Sequence, residues 1–545
     1  MKKLNRALAF CAAAALLCVL CACGAPQAAA QEAAAQEAAA PSDGITTLHI
    51  YLRGTVANTQ DVLAAFESRT MSTLHTRIEI VGIPAEEYDR TMAALLAAGQ
   101  PVDMMVCLPD SGYINNAMAG QYAELTDTLA DGVLADTLGA DFIRANSING
   151  KSYGVPLAQY YSRADGAVYR ADLLETYGLN FTQITSNDQL FSFLNTAAGI
   201  EHIKTLLAPG EDGFGLLHWN TPALTASNIY SLPTMGYTRL PAAVVLSADG
   251  RTVENVVFAG DNAAVFRTLR AGAWNFAYSN DFLSAALLQN AASQAYASQP
   301  TLLDSRFSET LLTQNAAAAW ISPSTSSLHT LEGKLRLYNS AAQLGFYAFN
   351  SAYTAPAPTE SIVTDMPAEY MLCIPAASEN KEACVAFLQW LYVSQDNFDL
   401  FAYGIRGVDW QPNADGQQQA LYNSESGPYT LPAAQLASAP AYTRLPSTLT
   451  QSEAILAANL TNHSLYTLNP LAGFVPPVQS AVWQQITGLY AAAMPALNSG
   501  VYGEETAAKI TALHTQAEAM GLEELRTLLV TQLQSWLNAT LPPAA

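Results

Sequence analysis

Residues 48–108 decide the fold. They open with Leu48-His49-Ile50-Tyr51-Leu52 and close with Val102-Asp103-Met104-Met105-Val106-Cys107-Leu108. The opening run reads as a strand, Val62, Leu63 and Phe66 mark a helix, and residues 78–83 a second strand. Across residues 85–98, Tyr88, Met92, Leu95 and Leu96 recur at the spacing of one helical face. Glu86 and Glu87 suit the positive end of that helix, and Gly99 supplies its stop. The closing run is mostly apolar, as a strand buried on both faces should be. Strand–helix–strand–helix–strand in so short a stretch predicts a parallel α/β sheet.

The same logic returns later in the chain. Residues 370–374 read as a strand. Ser378 or Asn380 is placed to cap a helix on which Cys384, Phe387, Leu388, Leu391 and Tyr392 follow the 3.6-residue period. Residues 411–470 are rich in Gln, Asn, Ser, Pro and Ala with little periodicity, and read as long surface connections. The C-terminal end is helical: Val478, Val482, Ile486, Leu489 and Tyr490 form one stripe. Leu522, Leu525, Leu529, Leu533, Trp536 and Leu537 form another.

The composition sets outer limits. The chain has 545 residues, half of them apolar, and 24 Lys and Arg against 46 Asp and Glu, for a formal charge of −22. The mean hydropathy is +0.12. This is a folded chain of two or three domains or one large bilobal unit, not a disordered one. So acidic a chain repels phosphate backbones and anionic headgroups, which excludes nucleic acid as a partner through a basic patch.

The N-terminus indicates export. Lys2, Lys3 and Arg6 precede an apolar stretch at residues 7–20, which has signal-peptide length and is short for a membrane span. Leu20-Cys21-Ala22-Cys23-Gly24 resembles a bacterial lipobox, which implies cleavage before Cys23 and its diacylglycerylation. Residues 1–22 are then the signal peptide and residues 23–44 a lipid-anchored tether with a QEAAA repeat. Its reach is roughly 30 Å if helical and about 60 Å if extended. Beyond the signal and its cut site only Cys107, Cys373 and Cys384 remain. Cys107 reads as a buried small hydrophobe, and a Cys373–Cys384 disulfide stays open in an oxidising compartment. No Cys/His spacing suggests zinc.

Leu108-Pro109-Asp110-Ser111-Gly112-Tyr113, followed by Gly120-Gln121-Tyr122-Ala123-Glu124-Leu125-Thr126, resembles the third strand, cleft loop and following turn of one family, the maltodextrin-binding-like class of extracellular solute-binding proteins of ABC importers. Asn149-Gly150-Lys151-Ser152-Tyr153-Gly154-Val155-Pro156 resembles the segment that crosses between lobes. Val168-Tyr169-Arg170-Ala171-Asp172-Leu173-Leu174 resembles a helix of the second lobe. Tyr403-Gly404-Ile405-Arg406-Gly407, Asn469-Pro470-Leu471-Ala472-Gly473-Phe474 and the helix around Trp536 resemble a Gram-positive lipoprotein branch with a C-terminal helical extension. The sequence departs from that branch at Val408-Asp409-Trp410, where the branch carries a basic–aromatic pair.

The resemblance implies a bilobal periplasmic-binding-protein-like (type II) fold: two α/β lobes, a ligand cleft between them, and extra C-terminal helices. Carried over, the N-terminal lobe comprises residues 45–157 plus 360–415. The C-terminal lobe comprises 158–359 plus 416–545. Loops at the C-terminal ends of strands face such a cleft. This nominates Arg53 and Asn58 after the first strand, Asp110, Ser111 and Tyr113 after the third, and Gln159, Tyr160 and Tyr161 at the crossover. Sugars present hydroxyls around apolar ring faces, so Trp219, Trp320 and Trp410 join the set as stacking surfaces.

Catalytic patterns are weak. The seven His are scattered without HExxH spacing, GxSxG and the P-loop are absent, and the many carboxylates stand in no recognisable motif. The expectation is a monomeric receptor, lipid-anchored on the extracellular face of the membrane. It would hand a small solute, an oligosaccharide by preference, to ABC transporter permease subunits. No catalytic residue, cofactor or metal is expected. An extracellular glycan hydrolase and a surface sensor or scaffold without a transport role remain as alternatives.

Overall fold

A computed structural model describes residues 44–199, 202–209, 228–232, 240, 242–258, 260, 261, 301–303, 305–323, 328–359, 361–421, 428–498, 502 and 505–541. The signal peptide, Cys23 and the tether up to residue 43 lie outside the described residues, as does Trp219. The chain divides into a unit Met1–Thr46 and a unit Thr47–Ala545. The elements below belong to the second, with the first strand beginning at the boundary.

The opening stretch folds as β1 (Thr46–Arg53), α1 (Gln60–Leu74), β2 (Thr76–Ile83), α2 (Tyr88–Ala97) and β3 (Met104–Cys107). Leu48, Ile50 and Leu52 alternate inward on β1, while all four residues of β3 are buried. Gly99, at φ +65°, stops α2. Its N–H bonds the Leu96 carbonyl, and the Gln100 N–H bonds the Leu95 carbonyl, a pairing that a left-handed residue allows. A short turn 109–113 leads from β3 into α3 (Ile114–Met118), and the chain returns through β4 (Val155–Leu157).

A second sheet begins with β5 (Asp165–Arg170) and β6 (Lys204–Pro209). The strands β7 (Ile229–Ser231), β8 (Ala242–Leu246) and β9 (Val253–Phe258) make an antiparallel sheet of their own. Then β10 (Thr301–Leu303), β11 (Ala317–Pro323) and β12 (Leu344–Ala348) complete the second sheet in the order β10-β6-β11-β5-β12. The Tyr-Arg-x-Asp segment braces this sheet. The Tyr169 hydroxyl accepts the Ile184 N–H at 3.0 Å, and buried Arg170 pairs with Asp172 at 2.6 Å.

The chain then passes through β13 (Ile362–Thr364) and β14 (Tyr370–Cys373) into α4 (Lys381–Tyr392). The first sheet has the order β2-β1-β3-β14-β4. Because β14 runs antiparallel to both β3 and β4, this sheet is mixed, not parallel as its first three strands suggest. All five periodic residues of α4 are buried. Neither Ser378 nor Asn380 caps it by side chain; both donate to Asp103 instead.

Residues 411–470 are not the loose surface connections that their composition suggests. Leu436, Ala437 and Ala439 are buried in the core of the first sheet. A capping box of Thr450 and Glu453 starts α5 (Gln451–Thr461), and Tyr466–Leu468 forms β15, parallel to β13. The low periodicity of α5 follows from the make-up of its buried face, where polar Glu453 and Asn459 stand beside Leu456, Ala457 and Leu460. The C-terminal helices α6 (Ala481–Asn498), α7 (Thr506–Ala519) and α8 (Leu522–Thr540) pack on β7–β9. The whole Leu522–Leu537 stripe is buried there, as expected. Between the cores, Leu471 and Phe474 point into this C-terminal cluster, while Ala472 and Val475 belong to that of the first sheet.

Cys107, Cys373 and Cys384 are all buried free thiols. Cys384 donates to the Asp103 carbonyl and Cys373 to that of Met371, so the Cys373–Cys384 disulfide is not formed. Burial pushes the Cys384 thiol up to about 12.

Candidate ligand-binding site

Strand direction gathers four chain segments at one edge of the first sheet. β1 and β3 are parallel, with Ile50 beside Met104. β14 runs against β3, with Met371 opposite Cys107, and β4 runs against β14, with Leu157 opposite Tyr370. The chain therefore leaves this edge at Arg53, Leu108 and Leu157, and enters it at Glu369 and Tyr370. Ligands of open α/β sheets collect at such an edge.

Charged and hydrogen-bonding groups converge there. The Arg53 guanidinium lies 3.5 Å from Asp89 and over the Tyr88 ring at 5.9 Å. Glu369 donates its N–H to the Leu157 carbonyl at 2.8 Å, and its carboxylate accepts the backbone N–H of Gln159. Burial raises the Glu369 pKa, while the charge of Arg163 and the Gln159 bond oppose the rise. The Tyr370 phenol is also raised by burial, with the Glu369 charge adding to the effect. A Gln435 hydrogen bond and the charges of Arg53 and Arg163 work against it. The edge thus offers a carboxylate, two guanidinium groups and a half-buried aromatic ring.

The residues nominated from the sequence fall in different places. Arg53 and Gln159 belong to this cluster. Tyr160, nearly buried, adjoins Tyr403, whose phenol burial pushes up to about 12. Asn58 adopts φ 56° and donates its side-chain N–H to the Pro428 carbonyl at 3.0 Å. Asp110 and Ser111 lie on the turn 109–113, but their side chains, like Trp219, fall outside the described residues.

Four nominated aromatics are core residues, presenting almost no surface to a solute in this conformation. Tyr113 is fully buried and stacked on Tyr122 at 6.0 Å. Tyr161 packs edge-on to Phe142 and His463. Trp320 sits in β11 among Leu312, Leu331, Leu335 and Leu344. Trp410 is 1% exposed, donates its indole N–H to the Gly404 carbonyl at 3.2 Å and lies under the Arg444 guanidinium.

Arg163, Glu369, Tyr370 and Gln435 escape the sequence reading. Glu369 and Tyr370 precede a strand that is visible in the sequence, but only its antiparallel direction turns its N-terminal end toward this edge. Among the described residues no His/Cys/Asp/Glu group could hold a metal ion, and no helix is long and apolar enough to cross a membrane.

Residues 58–397, more than half of the chain, match the family model of the bacterial extracellular solute-binding proteins. The chain belongs to that family. A carbohydrate ABC transporter substrate-binding protein of Streptococcus pneumoniae serotype 4 is 27% identical over 135 residues, which is 24% of this chain and 27% of that relative. The chain thus aligns with about a quarter of that protein's length. Among solved structures, the N-glycan transport solute-binding protein of Streptococcus pneumoniae superposes with a TM-score of 0.62 at 16% identity. That match covers 90% of this chain and 99% of the other. An HMO-binding, ABC-transporter-associated solute-binding protein of Bifidobacterium longum infantis gives 0.53 at 14%, covering 91% and 99%. The fold of this solute-binding protein is the bilobal α/β one, here carrying the C-terminal helices α6–α8.

Proposed function

We propose that this solute-binding protein is an extracellular receptor that captures an oligosaccharide at the first-sheet edge and delivers it to ABC transporter permease subunits by lobe closure. The observation that carries the proposal is the convergence of Arg53, Gln159, Arg163, Glu369 and Tyr370 where the chain crosses out of the first sheet. Carboxylate and guanidinium groups suit the paired hydroxyls of a pyranose, and an aromatic ring suits its C–H face. The relatives support the same ligand class: one is named for carbohydrate transport, and the N-glycan transport protein is also known in complex with Man5GlcNAc.

In this reading the lobes are residues 45–157 plus 360–415 and residues 158–359 plus 416–545. The exception is the stretch 431–468, which is numbered with the second lobe but packs on the core of the first sheet, and which we assign to the first lobe in closure. Closure is a hinge motion about the crossover segments, and binding involves no covalent chemistry, cofactor or metal. The protein is a monomer, tethered through residues 23–44 to a diacylglyceryl anchor on Cys23 after removal of residues 1–22.

A thermal-shift screen of the body from Ser42 against defined oligosaccharides tests the proposal. A ligand at 100 times its Kd stabilises by about 2.7 kcal/mol, a shift of degrees. A hit that weakens at least tenfold in Arg53→Ala and Glu369→Gln supports the edge as the site. A flat response across the glycan panel removes carbohydrate, and an unchanged Kd in both variants removes the edge.

A further inference from the structure

Where β1 leaves the sheet, its last peptide groups need partners that β3 does not supply. The β1–β3 register runs to Tyr51 beside Met105. Two residues on, the Arg53 N–H donates to Gln435 Oε1 at 2.8 Å, and Gln435 Nε2 donates to the Arg53 carbonyl at 2.8 Å. One buried side-chain amide thus occupies the place of a strand neighbour, 382 residues away in sequence. An amide has two N–H donors, and the same Gln435 sits against Tyr370, where it works to lower the phenol's pKa.

The turn that carries Gln435 is itself fixed. Its N–H bonds the Pro432 carbonyl at 2.9 Å, and Leu436 behind it is fully buried. Thr430 exchanges both backbone bonds with Ala57, at 2.9 and 3.0 Å. The segment therefore lies along the chain beyond β1 and holds it from Arg53 to Ala57.

We propose that Gln435 is a positioning residue for solute binding: its amide sets the Arg53 backbone and the Tyr370 ring in one fixed relation at the ligand edge. This rests on the reading of that edge as the binding site. The chemistry demands glutamine. The acceptor must face the Arg53 N–H and the donor must face its carbonyl, so an ionised Glu would oppose one carboxylate oxygen to that carbonyl. A protonated Glu, with one acceptor and one O–H donor, restores both bonds.

The test compares Gln435→Ala, Gln435→Glu, Arg53→Ala and the Gln435→Ala/Arg53→Ala pair in the purified protein, with Man5GlcNAc as probe and backbone hydrogen exchange as a ligand-free readout. In Gln435→Ala the Arg53 amide exchanges at least tenfold faster, and the probe binds at least tenfold more weakly. Gln435→Glu behaves like the Ala variant at pH 7.5 and regains protection and affinity near pH 5, whereas the wild type shows no such gain. In the Arg53→Ala background the loss from Gln435→Ala shrinks, because the two residues act through one another. Unchanged Arg53 exchange in Gln435→Ala, or a binding loss of equal size in both backgrounds, overturns the proposal. If Arg53→Ala leaves probe binding untouched, or the wild type does not bind the probe, the edge or its sugar is misread, and exchange alone decides the positioning.

Discussion

Asp103, just before β3, and His49, within β1, are joined twice. The Asp103 carboxylate accepts the His49 backbone N–H at 2.9 Å and lies 3.2 Å from His49 Nδ1. The other carboxylate oxygen accepts from Ser378 and Asn380, so a single buried group pins the loop before α4 to the sheet. The hydrogen bond to Asp103 raises the His49 pKa, against burial and with help from Glu79. Burial pushes Asp103 upward, but the bonds from His49, Ser378 and Asn380 outweigh it and leave its pKa lowered.

Those opposite shifts define a pH window. A raised histidine contributes stability below its unfolded value, near 6.5, and loses it as pH rises through the folded value. A lowered carboxylate contributes above about 3.9 and loses it as pH falls. Asp103→Asn should therefore cost most between about pH 4 and 6.5, on the order of 2–4 kcal/mol, and less on either side. Urea unfolding of both proteins across pH checks this, and a pH-independent difference would contradict it.

Trp410 and Trp320 should behave as core residues. Trp410→Ala removes a buried indole, its bond to Gly404 and the surface under Arg444, at a cost of about 3–5 kcal/mol. The Kd for a bound glycan, measured well below the unfolding transition, should change less than threefold. A large affinity loss with an unchanged melting point would return Trp410 to the binding surface.

Asn146 holds the crossover between β13 and β14. Its side-chain N–H groups donate to the Phe142 and Met366 carbonyls at 2.8 and 3.0 Å, and its oxygen accepts the Ala368 N–H at 2.8 Å. Met366 between them is fully buried at φ 45°, a conformation that non-glycine residues rarely adopt. Asn146→Ala leaves three buried backbone groups unpaired and should cost roughly 2–4 kcal/mol, with faster exchange at the Ala368 amide. Full retention of that protection would show that other contacts hold the crossover.

The elements that the sequence discloses are those with a local signature. β1 to β3, α4 and α8 show in their own periodicity because each buries one continuous stripe or run. Residues 411–470 conceal α5, because its buried face carries polar Glu453 and Asn459, and the Gln435 turn, because it is buried by contacts with distant segments that leave no period. The site is split in the same way. Arg53 and Gln159 follow from the rule about strand ends, whereas Glu369 and Tyr370 required the direction of β14. Tyr113, Tyr161, Trp320 and Trp410 are buried in this conformation, and since Trp and Tyr fill cores as readily as clefts, the sequence alone does not separate the two.

Glu369 should trade stability for binding. Its pKa is raised by burial, so the folded state resists its ionisation, and stability falls as pH rises from the ordinary glutamate range through the folded value. Glu369→Gln abolishes that loss, and its melting point should exceed the wild type's at pH 7.5 and converge with it near pH 4. Glycan affinity should drop at the same time, since Gln lacks the charge that strengthens bonds to hydroxyl donors. A variant that is stabilised and binds as well as wild type would make Glu369 a structural group only.

Gly473 lies where two cores meet. It adopts φ +84°, and a Cβ there would run into the Arg144 carbonyl and stand 3.2 Å from Trp536. Backbone on one side and a packed indole on the other leave little room to yield, so Gly473→Ala should cost at least about 2 kcal/mol from conformation and contact together. The location of that cost matters more than its size. Leu471 and Phe474 anchor the segment in the cluster of β7–β9 and α6–α8, while Ala472 and Val475 anchor it in that of the first sheet. Pushing Gly473 away from Arg144 loosens both attachments at once. Calorimetry should then resolve the C-terminal cluster as an earlier, separate transition in Gly473→Ala, where the wild type unfolds in fewer steps. Truncation after Asn469 deprives β7–β9 of their helical cover and should remove that transition altogether. A truncated protein with unchanged thermal unfolding would mean that α6–α8 do not support the rest of the fold.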